Sequence, residues 1–189
     1  MEKDFFIKNM VCDRCIKVVR EELEASGFDV TQVELGKVIL QVEKEKAIND
    51  KLNSILTKNG FSLLATTNEQ VVEKVKVTIL SLFKELPLQL EEKLSEYLSR
   101  KLHLEYSKIS KLFSYTEKIT IEKYFIKVKI EKVKELIQVG ELNFTQISQL
   151  LDYSNVNHLS SQFKNETGMS LTKYKAMDQN FRNPLDQIV

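Results

Sequence analysis

Apolar positions recur with two different periods along the chain, and the change of period divides it. Phe5-Phe6-Ile7 opens as a strand. Asn9 to Arg14 has loop composition, and from Cys15 the residues Ile16, Val19 and Leu23 recur at helical spacing up to Gly27. Phe28, Val30, Val33 and Leu35, then Val38, Leu40 and Val42, form two alternating runs joined near Gly36, the pattern of a hairpin. Ile48, Leu52, Ile55 and Leu56 mark a second helix ended by Asn59-Gly60, and Ser62-Leu63-Leu64 a last strand. The order βαββαβ predicts a ferredoxin-like domain over 1–67. The polar run Thr66-Thr67-Asn68-Glu69 marks its boundary.

Beyond that boundary the period is helical throughout. Val71 to Leu86 reads as a helix broken by Pro87. Leu94, Leu98 and Leu102 mark the next, His103-Leu104-Glu105 a tight turn, and Tyr106 to Tyr115 a third helix burying Ile109, Leu112 and Phe113. Phe125 to Val139 is a longer lysine-rich helix closed by Gly140. Thr145 is expected to cap a helix carrying Ile147, Leu150 and Leu151. Asp152-Tyr153-Ser154 makes a turn, and Asn155 to Glu166 a further helix burying Leu159 and Phe163. Gly168 ends it, and Leu171 to Met177 closes the region. The expected class is α+β: the N-terminal sandwich, an all-α domain over 68–178, and a tail over 179–189.

The helical region repeats itself. Residues 109–124 read ISKLFSYTEKITIEKY and residues 159–174 read LSSQFKNETGMSLTKY. Ser110 meets Ser160, Phe113 meets Phe163, Lys123 meets Lys173 and Tyr124 meets Tyr174 at a fixed spacing, which means one supersecondary unit used twice. Each unit is two helices joined by a tight turn, a helix-turn-helix. With the apolar faces fixed by Ile109/Phe113 and Leu159/Phe163, the opposite face presents Ser107, Lys108, Ser110 and Lys111 in the first copy. In the second it presents Asn157, His158, Ser161 and Gln162, with Lys164 nearer the backbone. Two such helices on a stiff spacer suit successive major-groove segments about 34 Å apart.

The net charge of +1 is unevenly distributed. Within 106–134 stand Lys108, Lys111, Lys118, Lys123, Lys127, Lys129, Lys132 and Lys134 against Glu117, Glu122 and Glu131. That concentration fits a nucleic-acid binder and equally a solvated helix face. The chain's only cysteines, Cys12 and Cys15, form a C-x-x-C, which in a reducing compartment reads as a metal or redox pair. No apolar run reaches the roughly 18 residues of a membrane span, and the N-terminus lacks a signal-peptide layout. The expected location is the cytoplasm. His103 and His158 lie away from the cysteines, and no catalytic constellation appears, so no enzyme is expected.

The segment 3–66, with Met10-Val11-Cys12-Asp13-Arg14-Cys15, resembles the heavy-metal-associated domain of copper chaperones and metal-pumping ATPases. The resemblance implies Cys12 and Cys15 as thiolate ligands for a soft ion, Cu(I) or Zn, with Met10 packed under the loop. Asn9 stands where that family has glycine. Residues 71–177 resemble the DNA-binding domain of the AraC/XylS family of bacterial transcription regulators. Ile147-Ser148, Asp152-Tyr153-Ser154, His158 to Lys164, Thr167-Gly168 and Tyr174-Lys175 carry the match, and Ile126 to Leu136 looks like the linker helix. Asp152 replaces a turn glycine, and Lys118 stands where the second copy has Gly168.

This resemblance implies base reading by Ser107, Ser110 and Lys111, and by Asn157 and Ser161. Lys111 is suited to guanine and Asn157 to adenine. The function implied is a regulator that binds double-stranded DNA, with a metal- or thiol-sensing N-terminal domain. RNA polymerase and a second copy paired through that domain are further partners the reading admits. The alternative is a soft-metal trafficking or buffering protein whose helical tail docks on a partner protein.

Overall fold

The computed structural model describes residues 1–42, 48–177 and 182–188. It falls into two compact units, Met1–Val77 and Thr78–Val189. In the first, the strands are β1 (Glu2–Lys8), β2 (Asp29–Glu34), β3 (Lys37–Gln41) and β4 (Ser62–Leu63), and the helices are α1 (Asp13–Ala25) and α2 (Ile48–Lys58). Their order is β1-α1-β2-β3-α2-β4. The sheet runs β2-β3-β1-β4 with every neighbouring pair antiparallel. Alternation sends Phe5 and Ile7 of β1 and Val38 and Leu40 of β3 to one buried face. Val19 and Leu23 of α1 and Leu52 and Leu56 of α2 join them in the same core. The hairpin turns on Gly36 at φ +75°, where a Cβ would lie 3.1 Å from Val77 and would also strain the backbone.

Helix α3 (Thr67–Ser81) runs through the division between the units. The polar run at 66–69 starts this helix. Thr66 Oγ1 accepts from the Glu69 N–H at 3.2 Å, and the Glu69 carboxylate accepts from the Thr66 N–H at 2.9 Å, a capping box. The first turns of α3 belong to the sheet unit: the Asn9 N–H donates to Glu73 at 3.1 Å, and Lys74 Nζ lies 4.7 Å from the Phe6 ring centroid. The helix ends at Ser81 and not at Leu86, because 3₁₀-type bonds from Leu82, Phe83 and Lys84 to carbonyls three residues back tighten its last turn.

In the second unit the helices are α4 (Leu94–Leu102), α5 (Tyr106–Glu117), α6 (Ile121–Val139), α7 (Phe144–Leu150), α8 (Val156–Thr167) and α9 (Leu171–Lys175). A single 3₁₀ turn, Leu185–Gln187, follows. Two helix starts differ from those expected. α6 begins at Ile121, four residues before Phe125, because Thr120 caps it by accepting from the Lys123 N–H at 3.1 Å. α7 is capped by Asn143 and not by Thr145: Asn143 and Gln146 exchange two 2.9 Å bonds in a capping box. The chain entering α4 is held by the Leu88 N–H, which donates to the Leu150 carbonyl at 2.7 Å, and by Phe83, whose ring lies 5.4 Å from that of Phe125. Of the expected tail, 182–188 lies among the described residues. No helix among the described residues is long and apolar enough to cross a membrane.

Candidate nucleic-acid interface

The internal repeat of the sequence is a repeat of structure. Helices α5 and α8 each run twelve residues and start fifty positions apart. Each is followed by a residue in the left-handed conformation, Lys118 at φ +61° and Gly168 at φ +73°. Next comes a hydroxyl cap, Thr120 for α6 and Ser170 for α9, accepting from the Lys123 and Lys173 N–H groups. The Phe113 and Tyr124 rings meet at 5.5 Å, and the Phe163 and Tyr174 rings at 5.4 Å. Ile109 and Phe113, like Leu159 and Phe163, are fully buried. The opposite face of each helix is thereby turned outward.

The nine expected interface residues divide by exposure. Ser107, Lys108 and Lys111 on α5, and Asn157, His158, Ser161 and Lys164 on α8, are exposed. Ser110 and Gln162 are half-buried. Gln162 Oε1 accepts from the Tyr153 hydroxyl at 2.8 Å, which anchors that side chain at the rim of the helix. His158 is held from two sides: Nδ1 shares a 3.2 Å hydrogen bond with Ser154 Oγ, and the ring meets the Tyr153 ring edge-on at 5.4 Å. Asn155 caps α8 by accepting from the His158 N–H at 2.9 Å, which fixes the first turn where Asn157 stands. In the first motif the Tyr106 hydroxyl donates to the Glu122 carboxylate; burial first, then this bond, pushes the phenol up. The two turns before α5 and α8 each contain a left-handed residue, His103 and Asp152, both at φ +53°. An aspartate accepts that conformation more readily than most residues, which explains its place where a glycine is usual.

The lysine concentration of 106–134 resolves into two groups. Lys108, Lys111 and Lys118 remain exposed. Those of α6 are largely committed within the protein. Lys123 pairs with Glu166 at 2.6 Å, tying the start of α6 to α8. Lys132 pairs with Glu135 at 2.7 Å, and Lys134 forms a buried pair with Glu131 at 2.6 Å. Lys127 Nζ donates to the Ile188 carbonyl at 3.1 Å, and Lys129 Nζ to the Asp152 carbonyl at 3.3 Å. The spacer helix is therefore a packed element, in contact with α5, α7 and α8, and not a solvated lysine face. The face that the sequence predicts for α5 ends at Lys111. The exposed stripe of α5 continues to Tyr115, which periodicity from Lys108 and Lys111 would have found.

In the N-terminal unit, Cys12 is the N-cap of α1 and Cys15 lies in its first turn. Their sulfurs are 3.4 Å apart and share a hydrogen bond. Burial pushes the Cys15 thiol up, opposite to the ionisation expected from the helix N-terminus. Met10 is fully buried beneath this loop. Asn9 takes φ +73°, the left-handed conformation for which a glycine is usual, and its Nδ2 donates to the Gly60 carbonyl at 3.2 Å. Among the described residues no group of three or more His, Cys, Asp and Glu side chains is placed to hold a metal ion.

Residues 98–177 match the family model described as a helix-turn-helix domain. Over 83 residues the chain is 28% identical to the Msm operon regulatory protein of Streptococcus mutans serotype c, covering 44% of this chain and 30% of that protein. Over 142 residues it is 26% identical to the probable transcriptional regulator LumQ of Photobacterium leiognathi, covering 72% of this chain and 57% of that one. The matched stretches thus span 30% of the first of these relatives and 57% of the second. Among solved structures, the C-terminal domain of AraT, a response regulator from Geobacillus stearothermophilus, superposes with a TM-score of 0.51 at 20% identity. That superposition covers 62% of this chain and 95% of that domain, which shows a shared fold. By sequence match and by fold, the C-terminal region of this chain is a helix-turn-helix domain.

Proposed function

We propose that this protein is a sequence-specific DNA-binding transcription regulator of the AraC/XylS type, not an enzyme. Its helices α5 and α8 enter successive major-groove segments of one duplex. The observation that carries the reading is the pair of repeat-related, outward faces, Ser107/Lys108/Lys111 and Asn157/His158/Ser161, within a matched helix-turn-helix region. Lys111 is the group suited to guanine O6/N7 and Asn157 to adenine N6/N7, while lysines at the rim take phosphate. RNA polymerase is the further macromolecular partner, and the N-terminal unit is the surface through which two copies would pair. The test is binding of the full chain to a pool of random duplexes across a salt series, followed by selection. A reader of duplex DNA loses affinity steeply with salt and enriches a defined sequence; absence of both refutes the proposal.

The N-terminal unit, with its βαββαβ order, is read as a ferredoxin-like, heavy-metal-associated type of domain that senses a soft metal or thiol oxidation. The sulfur pair at 3.4 Å favours this reading. Metal–thiolate bonds of about 2.3 Å allow two sulfurs to sit up to about 4.6 Å apart across one ion, so a small opening of the loop suffices. Cu(I), which accepts two soft ligands, suits the pair better than Zn, which prefers four. If DNA binding fails while the pair still takes up one Cu(I), the metal-trafficking reading replaces the regulator. Substituting Cys12→Ser with Cys15→Ser abolishes Cu(I) uptake in competition with a chelator if the pair is the site.

A further inference from the structure

The two copies of the repeat differ where helices α5 and α8 end. Helix α8 closes on Gly168, whose left-handed backbone suits a residue without Cβ. Helix α5 closes on Lys118 in the same conformation, which L side chains rarely adopt. The lysine curls back over the helix end: Nζ donates to the Tyr115 carbonyl at 2.7 Å and lies 4.7 Å from the Tyr115 ring centroid. Tyr115 itself is 78% exposed. Residues 108, 111 and 115 follow the spacing i, i+3, i+7, one stripe of the helix surface, and the stripe closes on the C-cap, Lys118. In the first copy the stripe reads Lys, Lys, Tyr, Lys; in the second, His158, Ser161, Asn165 and Gly168.

We propose that Tyr115 and Lys118 extend the DNA interface as a sugar-phosphate track, so that the first motif grips the backbone while the second contributes most of the base reading. The inference rests on the DNA-binding reading above. Ten residues of helix cover about 15 Å, close to the axial length of about four nucleotides of one strand. The ammonium groups of Lys108 and Lys118 and the Tyr115 phenol match a row of phosphate oxygens in charge and in hydrogen bonding, on either side of the base-facing Lys111. One N–H of Lys118 serves the Tyr115 carbonyl, and two remain for phosphate. The Tyr115 ring beneath the ammonium holds it in place.

The deciding variant is Lys118→Gly, which gives the first helix the ending that the second already has. With the full chain and a selected duplex, binding is measured across a salt series beside thermal unfolding. The expected result is an unfolding temperature equal to or above the wild type, an affinity several-fold weaker, and a salt slope reduced by about 0.9. Base preference stays unchanged. Tyr115→Ala weakens binding in the same sense. Unchanged affinity and slope in Lys118→Gly would leave Lys118 a helix cap only and overturn the inference, with the regulator reading intact. A wild type that binds no duplex would overturn both.

Discussion

Lys129 Nζ lies 4.0 Å from the centroid of the Tyr153 ring, joining the spacer helix to the turn that precedes the second recognition helix. The same ammonium donates to the Asp152 carbonyl, the left-handed residue of that turn. One buried cation thus fixes α6 against the α7–α8 turn, and Tyr153 passes the constraint to Gln162 and His158. Burial, set against attraction to Asp152, lowers Lys129 from 10.5 to about 8. The unfolded chain holds that proton up to about 10.5. Between the two values it binds more protons than the folded chain, so the Lys129 contribution to stability rises with pH from about 8. The Tyr153 hydroxyl, pushed up by burial, titrates above this window. Urea midpoints at several pH values between 7 and 10 test it: the wild type should gain stability relative to Lys129→Met as pH rises. Parallel curves would contradict the burial of this charge.

A second buried charge depends on the C-terminal segment. Glu131 and Lys134 are 5% and 7% exposed, and Glu131 also accepts from the Asn183 N–H at 3.0 Å and from Asn183 Nδ2 at 3.3 Å. Truncating Glu131 takes this buried counter-charge from Lys134 and the acceptor from Asn183, at about 3–5 kcal/mol. Glu131→Ala should therefore be destabilising by that order in chemical denaturation. Glu131→Gln, which keeps an acceptor for Asn183, should lose less. A loss below about 1 kcal/mol for Glu131→Ala would show the pair to be solvated.

Core and surface positions of the recognition helices should separate cleanly. Phe163→Ala opens a cavity under α8 and breaks the edge-on contact with Tyr174, an expected loss of about 3–5 kcal/mol in stability. Asn157→Ala and Lys111→Ala leave unfolding unchanged. Each should relax preference at its own half of the selected sequence by about 1–3 kcal/mol, read as relative affinity for single-base variants. A drop in unfolding temperature for Asn157→Ala without a change in base preference would place that residue in the scaffold.

The helices, the repeat and the strand order were legible because each rests on periodic burial: Ile109, Phe113, Leu159 and Phe163 announce themselves by spacing. Helix starts were less so. Asn143 and Thr120 cap their helices through side chains, and several Ser, Thr and Asn residues near each start compete for that place. The lysines of α6 could not be sorted from sequence, since charge alone does not reveal that Lys134 meets Glu131 or that Lys129 lies over Tyr153. On α5 the spacing predicts an outward Ser107, Lys108, Ser110 and Lys111, of which Ser110 is half-buried; Tyr115 is exposed as well, although an aromatic in a helix reads first as core. The cysteine pair was visible as a motif; the partial burial that pushes the Cys15 thiol up was not, since it depends on packing around the loop.

The central claim is that α5 and α8 read one duplex together. The direct measurement is selection of bound sequences from a random duplex pool with the full chain, followed by footprinting. Two preferred blocks centred about 10 base pairs apart on one face are predicted, with Lys111→Ala relaxing one block and Asn157→Ala the other. A single block, or enrichment that neither substitution alters, would contradict it.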